Sequence, residues 1–357
     1  MPEGRMKRGL LAGALGVVVA LIAAPGATAS TVTVTGSNTI RAAETGSETN
    51  RITVSYDGTA GLYTVRDATA NLTSSGACTA LDARAATCPG AGIKTISVDT
   101  DARDDTIALD PTIPSTVTGN LDGGPGNDTV KGHGTLDGGS GNDAVVGSLL
   151  ADTLRGGSGR DALDGGNGPD DIAGGSGTDS LTYAARATPV SVTIGSGDRN
   201  DGGIEDQGSG RRDTVRGDVE VLIGTAKGDF LAGDSSSETL VGAAGDDTII
   251  GNNGGDRLLG LEGNDLILGG NGGDVLKGWL GADRLFGGRD RDKVVGGPDG
   301  DLVVGNKGRD ALKGKGGIDF LRAKDGFRDR KISCGSGPNK REGATRDRRL
   351  DPRARSC

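Results

Sequence analysis

From Gly224 to Arg322 the chain repeats every nine residues, eleven times, without a slip. Position one of each unit is Gly, position six is acidic, and position eight is Leu, Ile or Val. The acidic residues are Asp229, Glu238, Asp247, Asp256, Asp265, Asp274, Asp283, Asp292, Asp301, Asp310 and Asp319. A further unit spans Gly123–Lys131, with Asp128 at position six. After six extra residues, five more run from Gly138 to Thr182, carrying Asp143, Asp152, Asp161, Asp170 and Asp179. A merely Gly- and Asp-rich linker would show no phase, whereas these seventeen units hold three chemistries at one spacing. So short a period restricts the chain to architectures that stack one small unit on the next.

Glycines at positions one, two and four allow positive φ and close backbone approach, as a tight turn needs. Positions seven to nine alternate out, in, out, as a short strand does. Each unit therefore reads as a turn plus a strand with one inward apolar side chain, and two units make one coil of a parallel β-roll. Neighbours on one edge are then eighteen residues apart, as Asp247, Asp265 and Asp283 are. Adjacent strands lie about 4.8 Å apart. Carboxylates at that spacing repel by about 1 kcal/mol per pair in water, and by about 3–4 kcal/mol at an effective dielectric near 20. One inward Leu or Ile per unit does not offset this together with the entropy of ordering so many glycines. The pattern predicts a ladder that folds only around divalent cations. Carboxylates and backbone carbonyls are hard ligands suited to Ca²⁺. Zn²⁺ is disfavoured, because the repeats contain no His or Cys.

Units such as Gly260-Leu261-Glu262-Gly263-Asn264-Asp265-Leu266-Ile267-Leu268 and Gly269-Gly270-Asn271-Gly272-Gly273-Asp274-Val275-Leu276-Lys277 resemble the GGxGxDxUx repeats of hemolysin-type (RTX) calcium-binding proteins. The resemblance implies an all-β fold, a parallel β-roll or right-handed β-solenoid, that binds several calcium ions. It implies metal ligation by Asp128, Asp143, Asp152, Asp161, Asp170 and Asp179 in the first block. In the second block it implies the same for Asp229, Asp247, Asp256, Asp265, Asp274, Asp283, Asp292, Asp301, Asp310 and Asp319. The best turns keep Gly at position four, as at Gly245, Gly254, Gly263, Gly272 and Gly281. Leu150, Lys227, Ser236, Asp290 and Asp299 depart from it, and Glu238 replaces Asp, so weaker ions are expected there.

Aromatic residues make up only 2% of the chain, which argues against a conventional wide core and for a solenoid. Residues 1–29 read as a secretory signal: Arg5, Lys7 and Arg8, an apolar run from Leu10 to Ala24, and Ala27-Thr28-Ala29 before Ser30. The run is shorter than the ~20 residues a membrane span needs, so a secreted, extracellular protein with no transmembrane span in its mature chain is expected. Without that segment, which holds one acidic residue, the formal charge goes from −9 to −11. That balance disfavours a nucleic-acid partner. Cys78 and Cys88 lie close together, as Cys334 and Cys357 do at the other end. Four cysteines permit three pairings, and locality in an oxidising compartment favours these two.

Residues 30–113 alternate as strands do, for example in Arg51–Tyr56 and Ile93–Val98, and predict a small β-rich region that caps the first coil. The first repeat block occupies 114–182. Residues 183–223 break the phase, since Asp179 and Asp229 are fifty residues apart. Pro189–Ile194 looks like a strand, and Asp213-Thr214-Val215 and Val219–Ile223 look like degenerate rungs. The second block spans 224–322. Residues 323–357 are rich in Lys and Arg and predict a basic C-terminal cap tied by Cys334 and Cys357. His133, in the skip Gly132-His133-Gly134, is expected to be an exposed loop residue, and Trp279 to sit on the edge of the roll.

Hemolysin-type proteins often join their repeats to a protease, lipase or toxin. This sequence has no HExxH zincin motif and no GxSxG elbow, and a Ser-His-Asp triad would have only His133 to use. The chain is therefore expected not to be an enzyme but a secreted calcium-binding protein with a structural or interaction role. The alternatives are a calcium-dependent adhesin that contacts a cell-surface or wall polymer, and an enzyme with an unrecognised site.

Overall fold

A computed structural model describes residues 29–36, 38–43, 49–197, 201–203, 212–323, 331–335 and 345–346. Among these residues there are only strands, turns and irregular segments, with no helix. Strands of successive coils pair in parallel and in register at the expected eighteen-residue offset, as Ile249↔Ile267 and Ile267↔Leu285 do. The fold is the all-β parallel β-roll that the period predicts.

Many of the strands are longer than three residues. Leu266–Asn271 covers positions seven to nine and runs on through positions one to three of the next unit. Two residues of each such strand face inward: the apolar residue at position eight and the glycine at position one, here Ile267 and Gly269. The core is consequently two facing single files. Leu163, Leu181, Leu222, Leu240, Leu258 and Leu276 stack along one side, and Leu231, Ile249, Ile267, Leu285 and Val303 along the other, all buried. A core one side chain thick per strand explains how the chain manages with so few aromatics.

The strands form three sheets. One, of sixteen strands, runs the whole length of the roll; the opposite face is divided into two sheets of nine. The division falls at the phase break. The long sheet passes through it, because Ser180–Thr182 pairs with Val221–Ile223, which pairs in turn with Thr239–Ala244. On the other face Thr214–Val215 ends one sheet against Asp171–Gly177, and Val190–Thr193 starts the next beside Phe230–Ala232. The chain thus lays down a strand of the second sheet before it returns to finish the first.

The first part of the described chain joins both faces and then turns antiparallel. Thr39–Ala43 and Arg51–Asp57 each pair in parallel with a following rung. Arg51–Asp57 also forms an antiparallel hairpin with Leu62–Asp67, which is followed by Ala85–Pro89. Cys78 and Cys88 are joined by a disulfide here. The Cys334 side chain and Cys357, expected to tie the C-terminal cap, lie outside the described residues, as does most of the signal-like segment. His133 differs from expectation. It is buried, with Nε2 2.6 Å from the Val117 carbonyl oxygen, because Gly134–Ser140 is itself a rung, paired in parallel beside Thr118–Asp122. Trp279 is 44% exposed on the edge, with Lys315 Nζ 5.2 Å from its ring centre.

Candidate metal centre

Asp265 illustrates how a turn is built. Its backbone N–H donates to Asp283 Oδ1, and its own Oδ1 accepts from the Asp247 N–H, both at 2.9 Å. Each position-six aspartate so receives one backbone N–H from the coil before it. Its second oxygen points at the glycine of position one: a Cβ at Gly260 would overlap Asp265 Oδ2. The position-one glycines are not positive-φ residues, unlike those of positions two and four such as Gly270 and Gly272. They must be glycine because the carboxylate occupies the space a side chain would need. At position four, a Cβ on Gly263 would overlap the Gly245 carbonyl of the preceding coil.

Repetition turns these bonds into two ladders, one along each edge. The first runs from Asp105 through Asp128, Asp143, Asp161 and Asp179, with links of 2.7–2.9 Å. It continues when the Asp179 N–H donates to Glu220 Oε2 at 2.7 Å, and beyond the break it restarts with Glu238 and passes through Asp256, Asp274, Asp292 and Asp310. The second runs from Asp152 through Asp170 to Asp213. It restarts with Asp229 and passes through Asp247, Asp265, Asp283, Asp301 and Asp319. Every ladder aspartate that the repeat predicts is present and at most 4% exposed. Asp105, Asp213 and Glu220 were not among the predicted ligands, although an acidic residue just before a Thr-Ile, Thr-Val or Val-Leu pair marks each of them.

The second carboxylate oxygens test whether these residues suit a cation. At Asp128, Asp143, Asp161, Asp170, Asp179, Asp247, Asp256, Asp265, Asp274, Asp283 and Asp292 this oxygen is buried and accepts no hydrogen bond. A buried acceptor left unpaired costs about 1–3 kcal/mol, more when charged. Without a cation these groups resist ionisation. Burial, with neighbouring carboxylates adding to it, pushes Asp128 and Asp247 up to about 7 and Asp292 to about 8. Burial and the adjacent Asp213 push Asp170 to about 10. Backbone carbonyls border the same spaces: a Cβ at Gly251 would lie 2.5 Å from both Asp256 Oδ2 and the Gly269 carbonyl oxygen. Among the described residues no three Asp, Glu, His or Cys side chains converge on one point. An ion here would therefore complete its shell with main-chain oxygens, an all-oxygen set that fits Ca²⁺.

Not every turn is left open. Asp152 Oδ2 accepts from the Ser148 N–H at 2.8 Å and from its hydroxyl at 3.0 Å. Asp229 Oδ2 accepts from the Thr225 N–H at 2.6 Å, and Asp301 Oδ2 from the Gly297 N–H. Two of these turns are among those that lack Gly at both positions two and four. Glu238 has Asp234 beside it as well as Asp256, which with burial pushes its carboxyl up to about 8.

Two edge ladders of buried carboxylates on a parallel roll define a cation-laddered β-solenoid. Stretches of the chain at 119–145, 146–181, 214–249, 232–267, 250–285, 259–294 and 286–321 match the family of the RTX calcium-binding nonapeptide repeat (four copies). The chain is a hemolysin-type calcium-binding repeat protein, and its many copies bind several calcium ions. The second group of matched stretches begins at Thr214, so it takes in a degenerate rung that the strict period leaves out. No curated protein matches the chain.

Proposed function

We propose that the protein is secreted and that its β-roll folds on binding several calcium ions, serving as a structural or interaction module rather than a catalyst. The unpartnered second oxygen of the ladder aspartates carries this reading. In the folded roll each such oxygen lacks a hydrogen-bond donor, and Ca²⁺ between successive turns would accept its lone pair instead. The ions are assigned to position-six aspartates whose second oxygen is open, with Asp247, Asp256, Asp265, Asp274, Asp283 and Asp292 as the central run of the second block. Asp152, Asp229 and Asp301 contribute less, because their own turns already hold that oxygen. Secretion rests on the leader-like residues 1–29, and the disulfide at Cys78–Cys88 is consistent with an oxidising compartment. Among the described residues no helix is long and apolar enough to cross a membrane.

Extracellular calcium modules commonly bind at about 10⁻⁴–10⁻³ M. Circular dichroism and small-angle scattering of the full chain are expected to report an expanded, strand-poor ladder in EGTA and a compact, strand-rich one in millimolar calcium. A chain equally compact in both would count against calcium-driven folding. Binding to whole cells or isolated wall polymer, with and without calcium, separates the adhesin alternative from a role confined to the protein's own scaffold.

A further inference from the structure

One carboxylate of the second ladder is held differently from all the others described above. Asp213 extends the first block's ladder to the phase break and ends it there: its Oδ1 accepts the Asp170 N–H at 2.9 Å, although the two are separated by 43 residues rather than 18. Its Oδ2 points at side chains of the intervening segment. The Tyr183 hydroxyl donates to it at 2.9 Å, and Arg186 Nη2 lies 3.7 Å away. Arg186 Nη1 donates to Asn167 Oδ1 at 3.0 Å, and Asn167 is the third residue of the preceding turn on that edge. The guanidinium carbon stands 5.4 Å from the Tyr183 ring centre. Asp213 is 0%, Tyr183 2% and Arg186 7% exposed.

The backbone sets this arrangement. The Tyr183 N–H donates to the Ile223 carbonyl at 2.8 Å, and the Arg186 N–H to the Tyr183 carbonyl at 2.9 Å. The first bond anchors the segment to the unbroken long sheet; the second turns the arginine back toward the opposite face, where the two short sheets meet.

We propose that Arg186 is the resident cation of this turn, standing in for the metal ion that the other open turns take. The proposal rests on the calcium reading of those turns and concerns a place where a side-chain cation makes calcium unnecessary. A guanidinium stays protonated at any accessible pH and offers several N–H donors in one plane, so it can bond a ladder carboxylate and a neighbouring turn together. A chelator cannot remove it. The interrupting segment is then more than a tolerated loop. It closes the broken face with a cation carried by the chain, and it leaves one preformed coil-to-coil contact from which both blocks can stack as calcium arrives.

The test uses the full chain, with calcium counted by isothermal titration calorimetry and folding followed by circular dichroism. Asp213→Asn is expected to leave the number of bound ions unchanged, whereas Asp265→Asn loses one. Arg186→Gln, which leaves Asp213 charged, is expected either to bind one ion more than the wild type or to need about threefold or more calcium to reach half-folding. The double variant Asp213→Asn/Arg186→Gln removes both charges and is expected to return to the wild-type ion count and to a midpoint near the wild-type value. An Asp213→Asn chain that loses an ion as Asp265→Asn does overturns the proposal, because Asp213 is then a calcium ligand. So does an Arg186→Gln chain with the wild-type count and midpoint. If Arg186→Gln alone fails to fold while the double variant folds normally, the buried pairing is upheld, and the unchanged count in Asp213→Asn decides the role. A wild type that binds no calcium sinks the calcium reading itself, and is told apart because Asp265→Asn then changes nothing either.

Discussion

At the scale of single residues, the repeat's glycines answer two separate demands. Those at position four face the carbonyl of the preceding coil in a left-handed conformation; Gly263 has φ +135°. Gly263→Ala is expected to lower stability in calcium by about 1–3 kcal/mol through backbone strain, and by more if the overlap with Gly245 is not relieved. Thermal melts of the calcium-loaded chain measure this. Position two tolerates side chains, but in strained conformations: Ala243, Leu261 and Trp279 sit at φ +87°, +86° and +83° along one edge. Ala243→Gly removes such a conformation and loses only a methyl group. A gain of up to about 1 kcal/mol is expected, reduced by glycine's greater freedom when unfolded. A melting temperature unchanged or lowered would show that the edge accommodates alanine without strain.

At the scale of the turn and its strand, what separates one ion site from another is whether the turn itself satisfies its carboxylate. Asp229 and Asp265 belong to one ladder, two coils apart with Asp247 between them, and both are buried. Asp229 Oδ2 is held by the Thr225 N–H, while Asp265 Oδ2 is open. Asp265→Ala is therefore expected to lower the bound calcium by one ion and to loosen the adjoining coils, with a smaller loss of calcium for Asp229→Ala. Glu238→Ala is also expected to cost less than Asp265→Ala, since it removes a longer side chain already crowded by Asp234. Hydrogen exchange of the neighbouring rungs, read beside calorimetry, checks the order. Equal losses for all three would mean that every turn binds alike.

At the scale of the whole molecule, the ladders couple folding to both calcium and protons. Burial raises the folded-state pKa of the ladder carboxylates above their ordinary value near 4, to about 6 at Asp265, 7 at Asp247 and 8 at Asp292. Groups shifted in this direction stabilise the calcium-free fold fully below the ordinary carboxylate pKa, and that contribution is lost as pH rises through the folded-state values. In EGTA the roll is expected to be most ordered near pH 4 and to come apart between about pH 4 and 8. With calcium present, protons and ions compete for the same oxygens, so the calcium required should increase as pH falls below about 6. A pH titration by circular dichroism, with and without EGTA, shows both trends; a calcium-free chain more ordered at pH 8 than at pH 4 would contradict them. The region before the first repeat block should respond less. Its antiparallel hairpins bury Ile52, Val54, Tyr63 and Val65 and carry the Cys78–Cys88 disulfide. Strand signal surviving in EGTA is expected to come from there and to fall on reduction with dithiothreitol.

The nine-residue period by itself determined the parallel roll, the inward file of Leu, Ile and Val, the eighteen-residue offset and nearly every ladder carboxylate, because each is a local pattern repeated in phase. It also marked Lys227 and Leu150 as departures whose turns prove to hold their own aspartate. What it could not carry were the contacts made across the phase break. The pairing of Asp170 with Asp213, the passage of the long sheet through Val221–Ile223 and the burial of Tyr183 and Arg186 depend on residues about forty apart meeting on a surface that the flanking coils create. The burial of His133 and the inward placement of the position-one glycines have the same origin: both depend on what packs against the residue, and that is known only once neighbouring coils are stacked. Tertiary structure alone decided these, because a buried charge acquires its partner from the fold around it rather than from its neighbours in the chain.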